Sequence, residues 1–190
     1  MKRLKRTLLA ISALLCIVSC DNPDLYYPYG QTYVYMPQAN RNPGVDNNFN
    51  VEISRAASLA DQETHTVVIL GAYRSGLAPL ESFDVGLYVD ADTLSRAVMH
   101  AAEPDASPQY AIYVDGVLLD NRYYSPLPDM LHIADNSRDA TTHLVLNDAM
   151  LTADYPVGKS LFLPVRLKEP SKYILNEALS MTMVVVNIVE

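Results

Sequence analysis

The residues best suited to chemistry in this chain are its tyrosines and its carboxylates. There are 13 tyrosines, three phenylalanines and no tryptophan. Tyr26, Tyr27 and Tyr29 cluster near the N-terminus, followed by Tyr33 and Tyr35, while Tyr123 and Tyr124 stand beside prolines in a segment that reads as a loop. A phenol offers a flat apolar face and a hydroxyl, which suits packing on a sugar ring with hydrogen bonds at its rim. Tyrosine is also a good strand former that lies half buried at sheet edges, and for any single tyrosine that is the commoner reading. Tyr26, Tyr27, Tyr29, Tyr123 and Tyr124 are the candidate ligand contacts, because they fall outside strand patterns, where binding residues concentrate.

The other chemistry-bearing residues form no recognisable machinery. Asp90 with Asp92, Asp135 with Asp139, and Asp154 are carboxylates in or near turns. A glycosidase needs two carboxylates facing each other across a cleft, whereas Asp in turns is expected for its hydrogen bonds to nearby backbone. His65, His100, His132 and His143 lack metal-ligand spacing, and no His-Glu-x-x-His occurs. The Asp-x-Asp at 90–92 lacks the later ligands and the glycine of a calcium loop. Val157-Gly158-Lys159-Ser160 resembles the end of a phosphate loop, but Ala153 stands where the first glycine belongs and a strand pattern comes next. No Gly-x-Ser-x-Gly elbow is present. The expectation is therefore a protein with no catalytic residues, no metal and no cofactor.

The elements that must position these residues are mostly strands. Phe49, Val51 and Ile53 alternate with Asn50, Glu52 and Ser54, as Phe83, Val85, Leu87 and Val89 do with Asp84, Gly86, Tyr88 and Asp90; Leu161, Leu163, Val165 and Leu167 alternate with Phe162, Pro164, Arg166 and Lys168. Period two with one apolar face is the pattern of a strand resting on a core. Val67 to Ala72 and Met181 to Val189 are apolar on both faces and read as central strands. Thr32–Met36, Tyr110–Val114, Met130–Ala134 and Thr141–Leu146 are shorter candidates. Turns at Asn42-Pro43-Gly44, Asp115-Gly116, Asp135-Asn136 and Val157-Gly158 separate them. Pro164 cannot donate to a ladder, so its strand is expected to be an edge or to carry a bulge. Asp92 to Ala102 reads as a short helix ending before Pro104, and Asn147 to Leu151 as a single turn. The sum is an all-β sandwich of about seven to nine antiparallel strands with one short helix.

Ahead of this body the chain changes character. Lys2, Arg3, Lys5 and Arg6 precede an apolar run from Leu8 to Val18. Eleven residues of helix span roughly 16 Å, about half a bilayer core, so the run reads as an export signal and not as a membrane span. It ends in Ile17-Val18-Ser19-Cys20, which resembles the bacterial lipobox. In that pattern the chain is cut before Cys20 and Cys20 is lipidated. The expected organisation is residues 1–19 as a lipoprotein signal peptide, 20–31 as a lipidated tether with Pro23, Pro28 and Gly30, and 32–190 as the sandwich. Loss of residues 1–19 takes away four positive charges and no negative ones, carrying the formal charge from −8 to −12. Such a body lacks the basic footprint that nucleic acid requires, and attachment to a membrane must come from acyl chains.

Several segments together resemble a lipoprotein family of the Bacteroidota. They are Tyr33-Val34-Tyr35-Met36-Pro37-Gln38-Ala39, Phe83-Asp84-Val85-Gly86-Leu87-Tyr88-Val89-Asp90, Tyr123-Tyr124-Ser125-Pro126-Leu127-Pro128, Leu163-Pro164-Val165-Arg166-Leu167, and Asn176 before the final strand. The family is a domain of unknown function, often the N-terminal domain of surface lipoproteins linked to glycan-utilisation systems, and some members carry an adhesion label. The resemblance runs from about Thr32 to Val189. It implies an immunoglobulin-like sandwich at the outer membrane or cell surface, with no assigned catalytic residue. Longer relatives continue into a second domain, lectin-like or catalytic, where this chain stops at Glu190.

Residues and resemblance together predict a non-catalytic surface lipoprotein that binds glycan or assists adhesion in a polysaccharide-utilisation system. Its partners would be the membrane through the N-terminal lipid, polysaccharide or other surface proteins, and no nucleic acid. The alternative is a pilus-like assembly subunit, with Met181–Val189 completing a neighbour's sheet.

Overall fold

The computed structural model describes residues 31–40, 47–61 and 63–190. Residues 1–30, which hold the signal segment and all of the tether but Gln31, with Cys20, Tyr26, Tyr27 and Tyr29, lie outside the described residues, as does the Asn42-Pro43-Gly44 turn.

Ten strands are described: β1 (Tyr33–Tyr35), β2 (Asn48–Ser54), β3 (Val67–Arg74), β4 (Phe83–Val89), β5 (Val117–Leu118), β6 (Met130–Ile133), β7 (Asp139–Val145), β8 (Ser160–Lys168), β9 (Ile174–Leu175) and β10 (Met181–Val189). They form two sheets. One runs β7-β3-β1-β9; the other runs β2-β10-β8-β4-β6, with β5 also beside β8. The alternating apolar residues of both sheets meet in one core, including Val34, Leu70, Val85, Leu87, Leu144, Leu163, Val165, Val184 and Val186. The all-β sandwich is therefore as the periodicity predicts.

The strands are not all antiparallel. β1 with β9, β2 with β10, and β5 with β8 run parallel. Period two cannot distinguish the two directions, because side chains alternate in both. β10 is paired along both edges, to β2 and β8, so the double-sided apolar pattern of Met181–Val189 reflects a central place in its own sheet. β3 is interior to its sheet, yet Val67 and Ile69 face outward and are about half exposed.

Helical structure exceeds the one helix expected. There are α1 (Arg55–Ala60), α2 (Ala91–Ala101) and α3 (Asp148–Asp154), besides several 3₁₀ turns. The Tyr110–Val114 segment is one of these turns and not a strand: Pro108–Tyr113 forms a 3₁₀ helix. Pro108 opens it, and the three-residue spacing of Tyr110 and Tyr113 puts both on the face that packs beside α2.

Pro164 lies in a central strand, at the one place where that strand tolerates it. On one side β8 pairs with β5 through Leu161 and Phe162, then with β4 from Val165 onward. Pro164 falls between the two partners, and its carbonyl accepts the Asp90 N–H at 2.9 Å. No ladder donor is needed from its nitrogen.

α2 roofs half of the outer face of the six-stranded sheet. Leu94, Ala97, Val98 and Ala101 form one stripe and pack with Tyr113 on Phe162, Met181, Met183 and Val185. Arg166 fixes the start of this helix: its Nε donates to Asp90 Oδ2 at 2.7 Å, with further bonds to Thr93 and Ser180. Burial by itself would raise the Asp90 pKa. Hydrogen bonds from Thr93 and Arg166, and the charges of Arg166 and Arg96, outweigh it and hold the carboxyl below its ordinary value.

Candidate functional site

The other half of that outer face is open. Along β4, Asp84, Gly86 and Tyr88 point away from the core, while Phe83, Val85 and Leu87 are buried. β6 pairs with Phe83–Gly86 and adds Met130 and His132 to the same surface. Beyond Gly86 the pairing stops. Leu87 N–H donates to the Asp129 carbonyl at 2.9 Å, and the segment preceding Asp129 then leaves β4. Pro126 and Pro128 have no N–H to continue a ladder. Ser125 instead bonds the opposite sheet, donating its N–H to the Val145 carbonyl at 2.8 Å, and Tyr124 bridges to Leu146.

The divergence leaves a groove of about 320 Å³ between Leu87–Val89 and the departing segment, lined by Tyr88, Asn121, Tyr124, Leu127 and Asp129 among others. Tyr124 is half buried there, and burial, reinforced by Asp120, pushes its hydroxyl pKa up. The hydroxyl therefore remains a donor through neutral pH. A second hollow of about 450 Å³ adjoins it, lined by Asp84, Gly86, Asp129, Met130, Lys168, Glu169 and Ser171. Asp129 borders both.

Lys168 joins the two hollows. It lies opposite Gly86 in the register, and its ammonium sits 5.1 Å from the centre of the Tyr88 ring. A Cβ on Gly86 would stand 2.7 Å from Lys168 Cγ. The missing side chain is what lets the lysine stem lie across the strand. Asp84 at the far end is 2.7 Å from His132 Nδ1.

Among the predicted contacts, the structure separates neighbours. Tyr124 lines the groove, whereas Tyr123 is fully buried. The Tyr123 hydroxyl donates to Asp154 Oδ2 at 2.6 Å and accepts from Arg122, whose guanidinium lies over its ring. The bond to Asp154, with burial, pushes its pKa up to about 12. Tyr123 therefore ties α3 to the loop. The turn carboxylates behave likewise: Asp90 holds Arg166 and Asp135 accepts the Ser82 N–H at 2.6 Å. Sequence reasoning does not single out Tyr88, Gly86, Asp129 or Lys168. The signal for Tyr88 and Lys168 is the alternation itself, which places both on the face away from the core.

Another depression, about 360 Å³, lies against α2 beside Tyr110. Its polar groups are already engaged with each other: His100 Nδ1 is 2.7 Å from Glu103, and the His100 ring packs edge-on to Tyr110. No group of three or more His, Cys, Asp or Glu able to hold a metal occurs among the described residues, and no helix among them is long and apolar enough to cross a membrane.

No protein-family model matches the chain, and no curated protein does. Solved structures do. A candidate carbohydrate-binding protein of Bacteroides ovatus superposes with a TM-score of 0.52 at 12% identity, over 83% of this chain and 37% of that one. A Bacteroides ovatus protein of unknown function superposes at 0.53 and 16% identity, over 82% and 46%. At such identity the likeness is one of fold. The chain spans less than half the length of either structure.

Proposed function

We propose that this chain is a non-catalytic surface lipoprotein, anchored at the outer membrane through Cys20, whose sandwich binds glycan in the groove beside β4. The observation that carries the reading is Tyr88 and Tyr124 lining one open groove, with Asn121 and Asp129 at its margin. Tyrosine faces take the apolar side of a sugar ring, and amide and carboxylate take its hydroxyls. The fold shared with a candidate carbohydrate-binding protein agrees with this reading. So does the lipobox resemblance of Ile17-Val18-Ser19-Cys20.

The test is a glycan array with the full chain, then titration calorimetry on the glycans retained. Tyr88→Ala and Tyr124→Ala should each weaken binding about tenfold, and the recovered glycan should be intact. Retention unaffected by both substitutions, or glycan returned cleaved, would overturn the proposal. Incorporation of labelled palmitate that vanishes in Cys20→Ser tests the anchor separately.

A further inference from the structure

The shape and charge of the site say more about the ligand than that it is a sugar. We infer that the two hollows act as one track for an extended, uncharged glycan chain, and that the track discriminates against polyanionic glycans. This rests on the glycan reading above.

Length is the first argument. The hollows share Asp129 and run along one strand from Asp84 to Val89. At about 3.3 Å per residue this is roughly 17 Å, several times the width of a sugar ring. Between the two ends lies Gly86, whose lack of a side chain lets the Lys168 stem lie flat against the strand and form the floor there. A single sugar would occupy only the Tyr88–Tyr124 end and leave the Asp84 end unused.

Charge is the second argument. Asp84, Asp129 and Glu169 line the track against the single ammonium of Lys168. Asp84 is the partner of His132, and Lys168 lies over Tyr88 and enters none of the ion pairs among the described residues. Hydroxyl groups suit this mixture, donating to carboxylates and accepting from the ammonium. A sulfated or uronate chain would place its own charges against three carboxylates, and like charges in an interface are strongly unfavourable.

The test is calorimetry on the full chain with ladders of manno-, xylo- and cello-oligosaccharides from mono- to hexasaccharide, alongside dextran sulfate and polygalacturonate. Affinity should climb through the trisaccharide in the ladder that binds, and the polyanions should bind at least tenfold more weakly. Gly86→Val places a side chain against the Lys168 stem in the middle of the track and should abolish the gain in affinity with length. Asp129→Asn should narrow the ratio between neutral and sulfated chains. Thermal melts confirm that both variants fold. A monosaccharide bound as tightly as a trisaccharide, or polyanions bound more tightly than neutral chains, would overturn this inference and leave glycan binding standing. Binding to none of the neutral or anionic glycans would overturn the parent reading with it.

Discussion

The outer face of the six-stranded sheet has two halves with opposite fates. Over β8 and β10 it carries Phe162, Met181, Met183 and Val185, and α2 with the Pro108–Tyr113 turn closes over them. Over β4 and β6 it carries Asp84, Gly86, Tyr88, Met130 and His132, and no described helix closes over them. The strands share one sheet, so backbone geometry does not make the difference. The connecting segments make it. After β4 the chain supplies an amphipathic helix, held at its start by Asp90 and Arg166. Before β6 it supplies Pro126 and Pro128, which hold the segment off the ladder and leave a groove. The roofed half contributes a second small core. The open half exposes the tyrosines and charges that a ligand can meet.

This contrast can be broken at its strongest point by Phe162→Ala. Phe162 is about 1% exposed beneath α2, and its truncation should cost about 3–5 kcal/mol in urea unfolding, with binding unchanged in the fraction that remains folded. Arg166→Met comes next. It strands the Asp90 carboxylate in a partly buried site, and about 1–2 kcal/mol should be lost, less than for a fully buried pair. The lowered Asp90 pKa sets the sign with pH. A depressed folded value means stability that is present above the unfolded pKa and is lost as pH falls below about 4. Melting temperature against pH should show that acid limb in the wild type and a shallower one in Arg166→Met.

Tyr123→Phe sharpens the comparison between adjacent tyrosines. It removes the bond to Asp154 and should cost less stability than Arg166→Met does, without altering glycan affinity. The Tyr123 pKa is raised to about 12, so its contribution is present below about pH 10 and lost as pH rises towards 12. Alkaline unfolding of the wild type should steepen in that window, and Tyr123→Phe should lack this component. The smallest effect on stability belongs to Tyr88→Ala in the open half. It should move stability by no more than about 0.5 kcal/mol, measured by urea unfolding. A loss comparable to that of Phe162→Ala would show that the open half is core in disguise.

Much of the architecture is legible in the sequence because periodicity is a local property. Alternation at Phe83–Val89 and Leu161–Leu167 marks both the strands and their core faces, and observed β4 and β8 agree with it. Asn147 marks the start of α3 through its cap: its Oδ1 accepts the Met150 N–H at 3.1 Å. Tyr110–Val114 misleads because a short apolar run with tyrosines fits a strand as well as a 3₁₀ turn packed under a helix. At the site, adjacency in sequence groups Tyr123 with Tyr124, but Tyr123 closes a 3₁₀ helix over Asn121–Tyr123 while Tyr124 is extended, so the two side chains leave the backbone in different directions. One enters the core and the other the groove.

The chain alone determined which residues seek the interior, because burial preference and two-residue alternation are written along it, and it determined the acidic character of the body. Only the tertiary structure decided that β2 and β10 lie parallel, that Pro164 falls where β8 changes partner, and that Tyr88, Tyr124, Asp129 and Lys168 share one surface. Those facts depend on which distant segments become neighbours. That choice is made by packing whole faces against each other, and no window of local sequence contains it.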